Sequence, residues 1–134
     1  ENGIVTAYAP GETIITAKTT DGELSTSYSL TVVDDIIQKV SANNNTVSIS
    51  LKNISDTNYD SVTLVVGIYA QNGRLRDIKT VPISDFISGY INDNIQVPFD
   101  SIATDSRIKV FLWKSLSDLK PLCDFREIIV NESF

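Results

Sequence analysis

The sequence predicts an all-β protein, and three observations support that fold class. Its apolar runs are short and rich in aliphatic residues and threonine, which suit a pleated, half-buried surface. Several segments alternate between apolar and polar residues with a period of two, as strands with one buried face do. Turn-forming dipeptides separate these segments: Asn2-Gly3, Pro10-Gly11, Asp21-Gly22 and Asn72-Gly73.

The first part of the chain predicts three strands in a row: Ile4–Ala9, Thr13–Thr19 and Ser25–Val33. Turn dipeptides at about ten-residue spacing mark a β-meander. A new pattern begins at the acidic pair Asp34-Asp35. We therefore expect two domains, residues 1–34 and residues 35–134.

The second domain is organised around residues 62–83, which predict a β-hairpin. Asn72-Gly73 favours a two-residue type I′ turn, because both residues tolerate a positive φ. The incoming strand is apolar on both faces, so we expect it in the middle of a sheet. Pro82 has no N–H to donate, which predicts an edge position for the outgoing strand. Keeping the apolar residues after the turn on one face requires one extra residue, so we expect a β-bulge near Arg76-Asp77.

The remaining strands of this domain are predicted at Ile36–Val40, Val47–Leu51, Tyr90–Phe99, Ile108–Lys114 and Phe125–Val130. The segment Ile108–Lys114 is apolar on both faces and should be central. We expect a turn at Asn43-Asn44-Asn45 and a short helical turn within residues 84–89. About seven strands in roughly 100 residues is the count of an immunoglobulin-like or fibronectin-like sandwich. The predicted fold is an immunoglobulin-like β-sandwich preceded by a partial immunoglobulin-like three-stranded meander.

Residues 2–33 also carry a family resemblance. Asn-Gly-Ile-Val-Thr-Ala-Tyr-Ala-Pro-Gly-Glu-Thr-Ile-Ile-Thr-Ala-Lys is followed by Asp-Gly and then by Ser-Leu-Thr-Val-Val. This series resembles the C-terminal part of bacterial group 2 immunoglobulin-like domains, the repeat modules of invasin- and intimin-type adhesins and of many surface enzymes. The family's earlier strands would precede Glu1, so the resemblance implies a piece of a longer protein.

A second resemblance covers about residues 36–131. It is carried by Gly67-Ile-Tyr-Ala-Gln-Asn-Gly-Arg-Leu75 and by Lys109-Val-Phe-Leu-Trp-Lys-Ser-Leu-Ser-Asp-Leu-Lys-Pro-Leu122. These segments are similar to a β-sandwich module of multidomain secreted and surface proteins of Gram-positive bacteria, often found beside carbohydrate-active domains. The resemblance implies a secreted or cell-surface bacterial location, and it brings no activity with it.

Charge and composition exclude several functional classes. The net charge is −6 and the lysines and arginines are scattered, so we expect neither nucleic acid nor an anionic membrane surface as a partner. No apolar run approaches the roughly 20 residues that span a bilayer, so we expect no membrane insertion. The chain has no histidine, the commonest catalytic base and zinc ligand. The single cysteine, Cys123, allows no intrachain disulfide and has no histidine to activate it.

Two acidic segments are weak candidates for calcium. Asp56, Asn58 and Asp60 place oxygen ligands at alternate positions, but the loop lacks the glycine and glutamate of an EF-hand. Asp34-Asp35 lies at the expected domain junction. A solvated loop and a polar linker explain the same residues, so we expect no metal and no cofactor.

Trp113 and Tyr69 are the candidate ligand-binding residues. Trp113 shares a strand face with Phe111, and Tyr69 belongs to another predicted strand. Flat sugar-binding sites use such aromatic platforms. A tryptophan inside an apolar strand is more often part of a sandwich core, so we expect Trp113 to be buried and keep the platform as the alternative.

The carboxylates give no reason to expect an enzyme. They lie mainly in predicted turns, and none forms a pair of the kind that hydrolyses glycosides. We expect a non-catalytic structural, spacer or interaction module of a bacterial secreted or cell-surface multidomain protein, with neighbouring domains as partners. The alternatives are a carbohydrate-binding module that contacts polysaccharide beside a glycan-active enzyme, and an adhesin segment that binds a protein.

Residues 1–34 predict a partner of their own. Three strands form a single sheet, whose apolar positions need a second layer. The segment must pack on the following module or exchange strands with another copy of the chain. We favour a homodimer through residues 1–34.

Overall fold

The computed structural model describes residues 5, 11–32 and 35–131. These residues form nine strands in three antiparallel sheets and no helix, which confirms an all-β, sandwich-like fold. Among them, no helical segment has the length and apolar character needed to cross a membrane. The chain divides into two compact units, residues 1–34 and residues 35–134. The predicted Asn2-Gly3 turn and nearly all of the predicted strand Ile4–Ala9 lie outside the described residues.

The described part of the first unit is an antiparallel pair of strands, β1 (Gly11–Lys18) and β2 (Ser25–Val32). Their eight residue pairs run without a register shift. Large apolar side chains face solvent: Ile14 is 70% exposed and Tyr28 is 69% exposed. Because a two-stranded ladder is only marginally stable alone, the described strands still require a further layer. The homodimer through residues 1–34 stays a prediction.

The turn between β1 and β2 confirms the one expected at Asp21-Gly22. Gly22 has a φ of 76°, and its N–H donates to the Thr19 carbonyl at 2.9 Å. The Asp21 carboxylate accepts hydrogen bonds from the Thr19 hydroxyl and from the Glu23 N–H. These bonds favour the charged carboxylate and lower the pKa of Asp21.

In the second unit, residues 35–131 form seven strands in two sheets. The first sheet has the order β3-β4-β7, with β3 (Ile37–Asn43), β4 (Thr46–Lys52) and β7 (Ile91–Pro98). The second has the order β6-β5-β8-β9, with β5 (Tyr59–Tyr69), β6 (Leu75–Phe86), β8 (Arg107–Trp113) and β9 (Arg126–Ile129). β5 and β8 are interior and β6 is an edge, as predicted. The fourth strand of the unit, β6, lies in the sheet of β5, whereas in a constant-type immunoglobulin domain it belongs to the other sheet.

The two sheets of this unit share one hydrophobic core. Alternate side chains of β5 and β8 enter it; Leu64, Val66, Val110 and Leu112 are completely buried. Both sheets contribute, and the full cluster comprises Ile36, Ile37, Val47, Ile49, Leu51, Val62, Leu64, Val66, Ile68, Ile83, Phe86, Ile95, Val97, Phe99, Ile102, Ile108, Val110, Leu112 and Val130. The sandwich follows from the need to remove this apolar surface from water.

The turn between β5 and β6 differs from the predicted two-residue type I′ turn. The Ala70 N–H donates to the Arg74 carbonyl at 2.8 Å, which closes a three-residue loop. Within this loop only Gly73 has a positive φ, at 83°. The Asn72 side chain accepts a hydrogen bond from the Arg74 N–H at 3.1 Å and stabilises this alternative. The result is a loop ending in a left-handed glycine, the common geometry for three-residue hairpins.

The predicted β-bulge is confirmed at Arg76. Tyr69 faces Leu75, but the pairing shifts by one residue immediately afterwards, so that Gly67 faces Ile78. Arg76 is the extra residue on β6. Leu75 and Ile78 consequently lie on the same face of the sheet.

Two other turn predictions have opposite outcomes. Asn44 and Asn45, with φ values of 47° and 60°, connect β3 to β4 and confirm the expected turn. The helical turn predicted within residues 84–89 is wrong, because β6 continues through Phe86, which pairs with Tyr59. The sequence of residues 84–86 does not itself favour a strand, but these residues pair with the long strand β5 and thereby extend β6.

Every edge strand of the sandwich carries a feature that hinders the addition of another strand. β6 contains Pro82 and the Arg76 bulge. β7 has an irregular register at Asp93-Asn94, and β3 has one at Gln38. β9 has only four residues. Prolines, bulges and short edges are known protections against edge-to-edge pairing.

Asn53, which follows β4, is the main buried polar group of this unit, with 2% of its surface exposed. Its amide group donates to the carbonyls of Thr57 and Phe86, each at 2.9 Å. Its side-chain oxygen accepts from the backbone N–H and the hydroxyl of Ser55, at 3.0 and 2.7 Å. Its backbone N–H donates to the Tyr90 carbonyl at 2.9 Å. One side chain thus joins the end of β4 to the end of β6.

We expect Asn53→Asp to destabilise the protein, because a carboxylate cannot donate to the Thr57 and Phe86 carbonyls. Each buried group left unpaired costs about 1–3 kcal/mol of unfolding free energy. Urea denaturation measures the loss. Asn43→Asp, an exposed change of the same chemistry at the end of β3, is the matched control and should be nearly neutral. Equal midpoints for the two variants would contradict the structural role of Asn53.

Candidate functional site

The candidate site is the side of the second sheet that points away from the hydrophobic core, here called the outer face. β8 and β5 supply its centre, where Trp113, Phe111, Lys109 and Arg107 pair with Thr63, Val65, Gly67 and Tyr69 respectively. β6 and β9 supply its flanks. These flanking residues are Leu75, Ile78, Thr80, Pro82, Glu127 and Ile129.

Three aromatic side chains form a row on the outer face. The ring centre of Phe111 lies 5.8 Å from that of Trp113 and 5.3 Å from that of Phe125. The planes are inclined by 44° and 38°. These distances and tilts lie within the favourable range for aromatic pairs, so the rings hold one another in place.

The expectation that Trp113 belongs to the sandwich core is wrong. Trp113 and Phe111 are both partly exposed, and neither is a member of the core cluster. The reason is the period of two along β8: Ile108, Val110 and Leu112 already fill the inner face, so the residues between them must point outward. Trp113 and Tyr69, the two candidates from the sequence, are therefore brought to the same face.

Gly67 and Tyr69 form a matched pair on β5. A Cβ atom on Gly67 would lie 2.8 Å from Cε2 of the Tyr69 ring and 3.3 Å from its hydroxyl oxygen. The ring therefore lies back over the glycine, nearly against the backbone. A glycine inside an apolar strand is a signal of such a close approach.

Lys109 occupies the centre of the outer face. Its Nζ atom lies 5.0 Å from the ring centre of Tyr69 and 5.3 Å from that of Phe125. It also lies 3.4 Å from Oε2 of Glu127. The other carboxylate oxygen of Glu127, Oε1, lies 3.8 Å from Nη1 of Arg107. Cation–π and ion-pair contacts thus fix an ammonium group beside the aromatic row.

The outer face combines partly exposed rings, aliphatic side chains and a few fixed charges. Ile78 is 49% exposed and Ile129 is 52% exposed. Exposed apolar patches rimmed by polar groups mark interaction sites, and Trp, Tyr and Arg are the residues that dominate binding energy there. Sequence reasoning missed Phe125, Lys109, Arg107 and Glu127. The alternation of inward- and outward-facing residues along β8 and β9 was the available signal. The sequence does not show that these two strands are neighbours, and their pairing is what places the side chains in one row.

The weak calcium candidate receives no support from its loop. The Asn58 side-chain oxygen accepts a hydrogen bond from the Ser88 N–H at 2.8 Å. Asn58 and Asp60 line a shallow depression together with Lys114, a cation. In the described part of the chain, no group of three or more His, Cys, Asp or Glu residues could hold a metal ion. The expectation that no metal binds stays a prediction, with Asp56, Asn58 and Asp60 as the weak alternative.

Cys123 is partly buried, and its removal from water raises the pKa of the thiol to about 11, with a smaller contribution from the Asp35 carboxylate. Since only the thiolate is a nucleophile, this environment makes the residue unreactive at neutral pH.

We expect alkylation of Cys123 by iodoacetamide at pH 8 to be roughly 100-fold slower in the native protein than in urea. Folding disfavours the thiolate, so stability should also fall as the pH rises from about 9 towards 11. Equal alkylation rates in the two states would contradict the raised pKa.

We expect Gly67→Ala to move the Tyr69 ring without unfolding the protein. The new methyl group would meet only the far end of a flexible side chain, so the change in unfolding free energy should stay below about 1 kcal/mol. NMR would show altered shifts for Tyr69 and Lys109. A control substitution, Ala42→Gly on the other sheet, should leave both shifts in place. An unmoved Tyr69 ring would contradict the close packing.

The comparisons with family models, curated proteins and solved structures found no match to this chain. The two resemblances drawn from the sequence therefore stay predictions.

Proposed function

We propose that this chain is a non-catalytic interaction module of a bacterial secreted or cell-surface protein, and that the outer face is its contact surface. The observation that carries the proposal is the aromatic row of Trp113, Phe111 and Phe125, which lies outside the core and partly in solvent. The secreted or surface location is supported by the two sequence resemblances. Neighbouring domains of the parent protein are one class of partner.

The outer face departs from the usual solvated side of an antiparallel sheet, which is polar. An aromatic side chain carries roughly 150–250 Å² of surface. Covering the exposed part of one such partly buried ring, roughly a third of its surface at most, would contribute about 1–2 kcal/mol at 25 cal/mol per Å². A partner that covers Trp113 and Tyr69 therefore gains substantial binding energy. The fixed side chains lose little conformational freedom in doing so.

Carbohydrate binding is the second candidate, and the outward orientation of Trp113 favours it. Trp113 and Tyr69 lie on one face with Arg107, Lys109 and Glu127. Aromatic rings stack on the apolar faces of sugars, and these charged groups donate to or accept from hydroxyls. An adhesin segment that binds a protein would use the same surface.

Trp113→Ala tests whether the ring serves binding or folding. Loss of a fully buried aromatic costs roughly 3–5 kcal/mol. We expect Trp113→Ala to cost clearly less in urea denaturation, because the ring is partly solvated in the native state. Leu64→Ala, in the core, is the reference variant. A cost for Trp113→Ala equal to that of Leu64→Ala would contradict the proposed contact role.

Pull-down on immobilised polysaccharides tests the carbohydrate candidate. We expect Trp113→Ala and Tyr69→Ala each to weaken retention about tenfold or more, since 1.4 kcal/mol corresponds to a factor of ten. Tyr28→Ala removes an exposed aromatic from the first unit and should change nothing. Failure of the wild-type protein to bind any polysaccharide would contradict this candidate and leave protein contact as the function.

A further inference from the structure

The charge on the outer face differs in sign from that of the whole chain. The chain has a net charge of −6. Among the described residues of its paired strands β8, β5 and β9, the outer face carries two cationic side chains, Lys109 and Arg107, and one carboxylate, Glu127. Glu127 lies between the two cations, 3.4 Å from Lys109 and 3.8 Å from Arg107. One positive charge is therefore left unbalanced on this face.

The surplus charge lies directly beside the aromatic row. Lys109 is two residues from Phe111 on β8, so their side chains are neighbours on the same face. The Lys109 ammonium is also 5.3 Å from the ring centre of Phe125. Lys109 and Glu127 side chains are each only 29% exposed, and Arg107 is 44% exposed. Lys109 is thus held in place by its neighbours, and Arg107 is the more exposed of the two cations.

We infer that the outer face binds a polysaccharide whose sugar rings carry carboxylate groups. The inference rests on the carbohydrate candidate above and names its substrate class. The sugar rings stack on Trp113 and Phe111, and a ligand carboxylate pairs with Arg107 and Lys109. A neutral polymer would remove water from these cations without replacing it by a charge partner, which costs binding energy. Arginine adds a planar fork that matches a carboxylate.

The probes are polygalacturonate, alginate and hyaluronan, each compared with its carboxyl-reduced form. Reduction converts the carboxylate to a neutral hydroxymethyl group and leaves the backbone unchanged, so the comparison isolates charge. Affinity electrophoresis and calorimetry with the whole chain measure binding. We expect at least one acidic polymer to bind about fivefold or more tighter than its reduced form. That preference should shrink as salt screens the charges.

Charge variants test the assignment of residues. Lys109→Gln and Arg107→Gln should each weaken binding of the acidic polymer about fivefold more than binding of the reduced polymer. Glu127→Gln should strengthen acidic binding by a similar factor, a gain that misfolding cannot produce. Lys39→Gln removes an exposed charge from β3 on the other sheet and is the matched control, with no expected effect.

The outcomes separate this inference from the proposals it rests on. Equal binding of acidic and reduced polymers would overturn the preference for acidic sugars and leave the carbohydrate candidate standing. Failure to bind either form of any probe would overturn both. If poly-glutamate binds as tightly as the acidic polysaccharides, the face recognises negative charge without recognising sugar. That result also overturns the inference. So would a Glu127→Gln variant that binds the acidic polymers no better than wild type.

Discussion

The structure of the second unit depends on one constraint: β5 is apolar on both faces, so both must be covered. The opposite sheet covers the inner face, where Leu64 and Val66 are completely buried. On the outer face, within the described residues of this unit, the cover comes from side chains of the same sheet. Val65 is only 1% exposed although it points outward, and its partner across β8 is Phe111. The outer aromatics thus shelter β5 while keeping part of their own surface in solvent.

The outer aromatic side chains cover β5 and also remain partly exposed, which explains why the outer face is both rigid and accessible. Tyr69 lies back over Gly67, and Lys109 is positioned by two rings and a carboxylate. Side chains that already pack against a neighbour lose little entropy when a ligand arrives. A contact surface made this way is preorganised by the same interactions that complete the fold. Folding and recognition draw on one set of residues.

Several features of the fold could be predicted because their causes are local. Residues on both faces of β5 and β8 are apolar, which requires interior positions, and Pro82 cannot donate, which requires an edge. The bulge at Arg76 followed from the need to keep Leu75 and Ile78 on one face.

Other features depend on partners that lie far away in the sequence. Nothing in β8 itself shows which of its two apolar faces meets the other sheet, so the sequence does not predict that Trp113 lies outside the core. The contact between Phe111 and Phe125 requires the pairing of β8 with β9 across a long connection. The three-residue loop at Asn72-Gly73 includes a hydrogen bond from the Arg74 N–H to the Asn72 side chain, which the dipeptide alone does not predict. Only the coarse outline of the site, Trp113 and Tyr69 as candidates, was within reach of the sequence.

The edge strands of the two units differ in how readily they can pair with another copy of the chain at high protein concentration. In the sandwich, each edge strand is interrupted by a proline or an irregular register, or is too short to template a neighbour. The ladder of β1 and β2 has eight pairs in unbroken register and no proline among them. Within residues 11–32, neither outer edge of this ladder pairs with a further strand, so it offers backbone groups to an extended chain that meets it. Misassembly during refolding at high concentration should therefore start in the first unit and spare the sandwich.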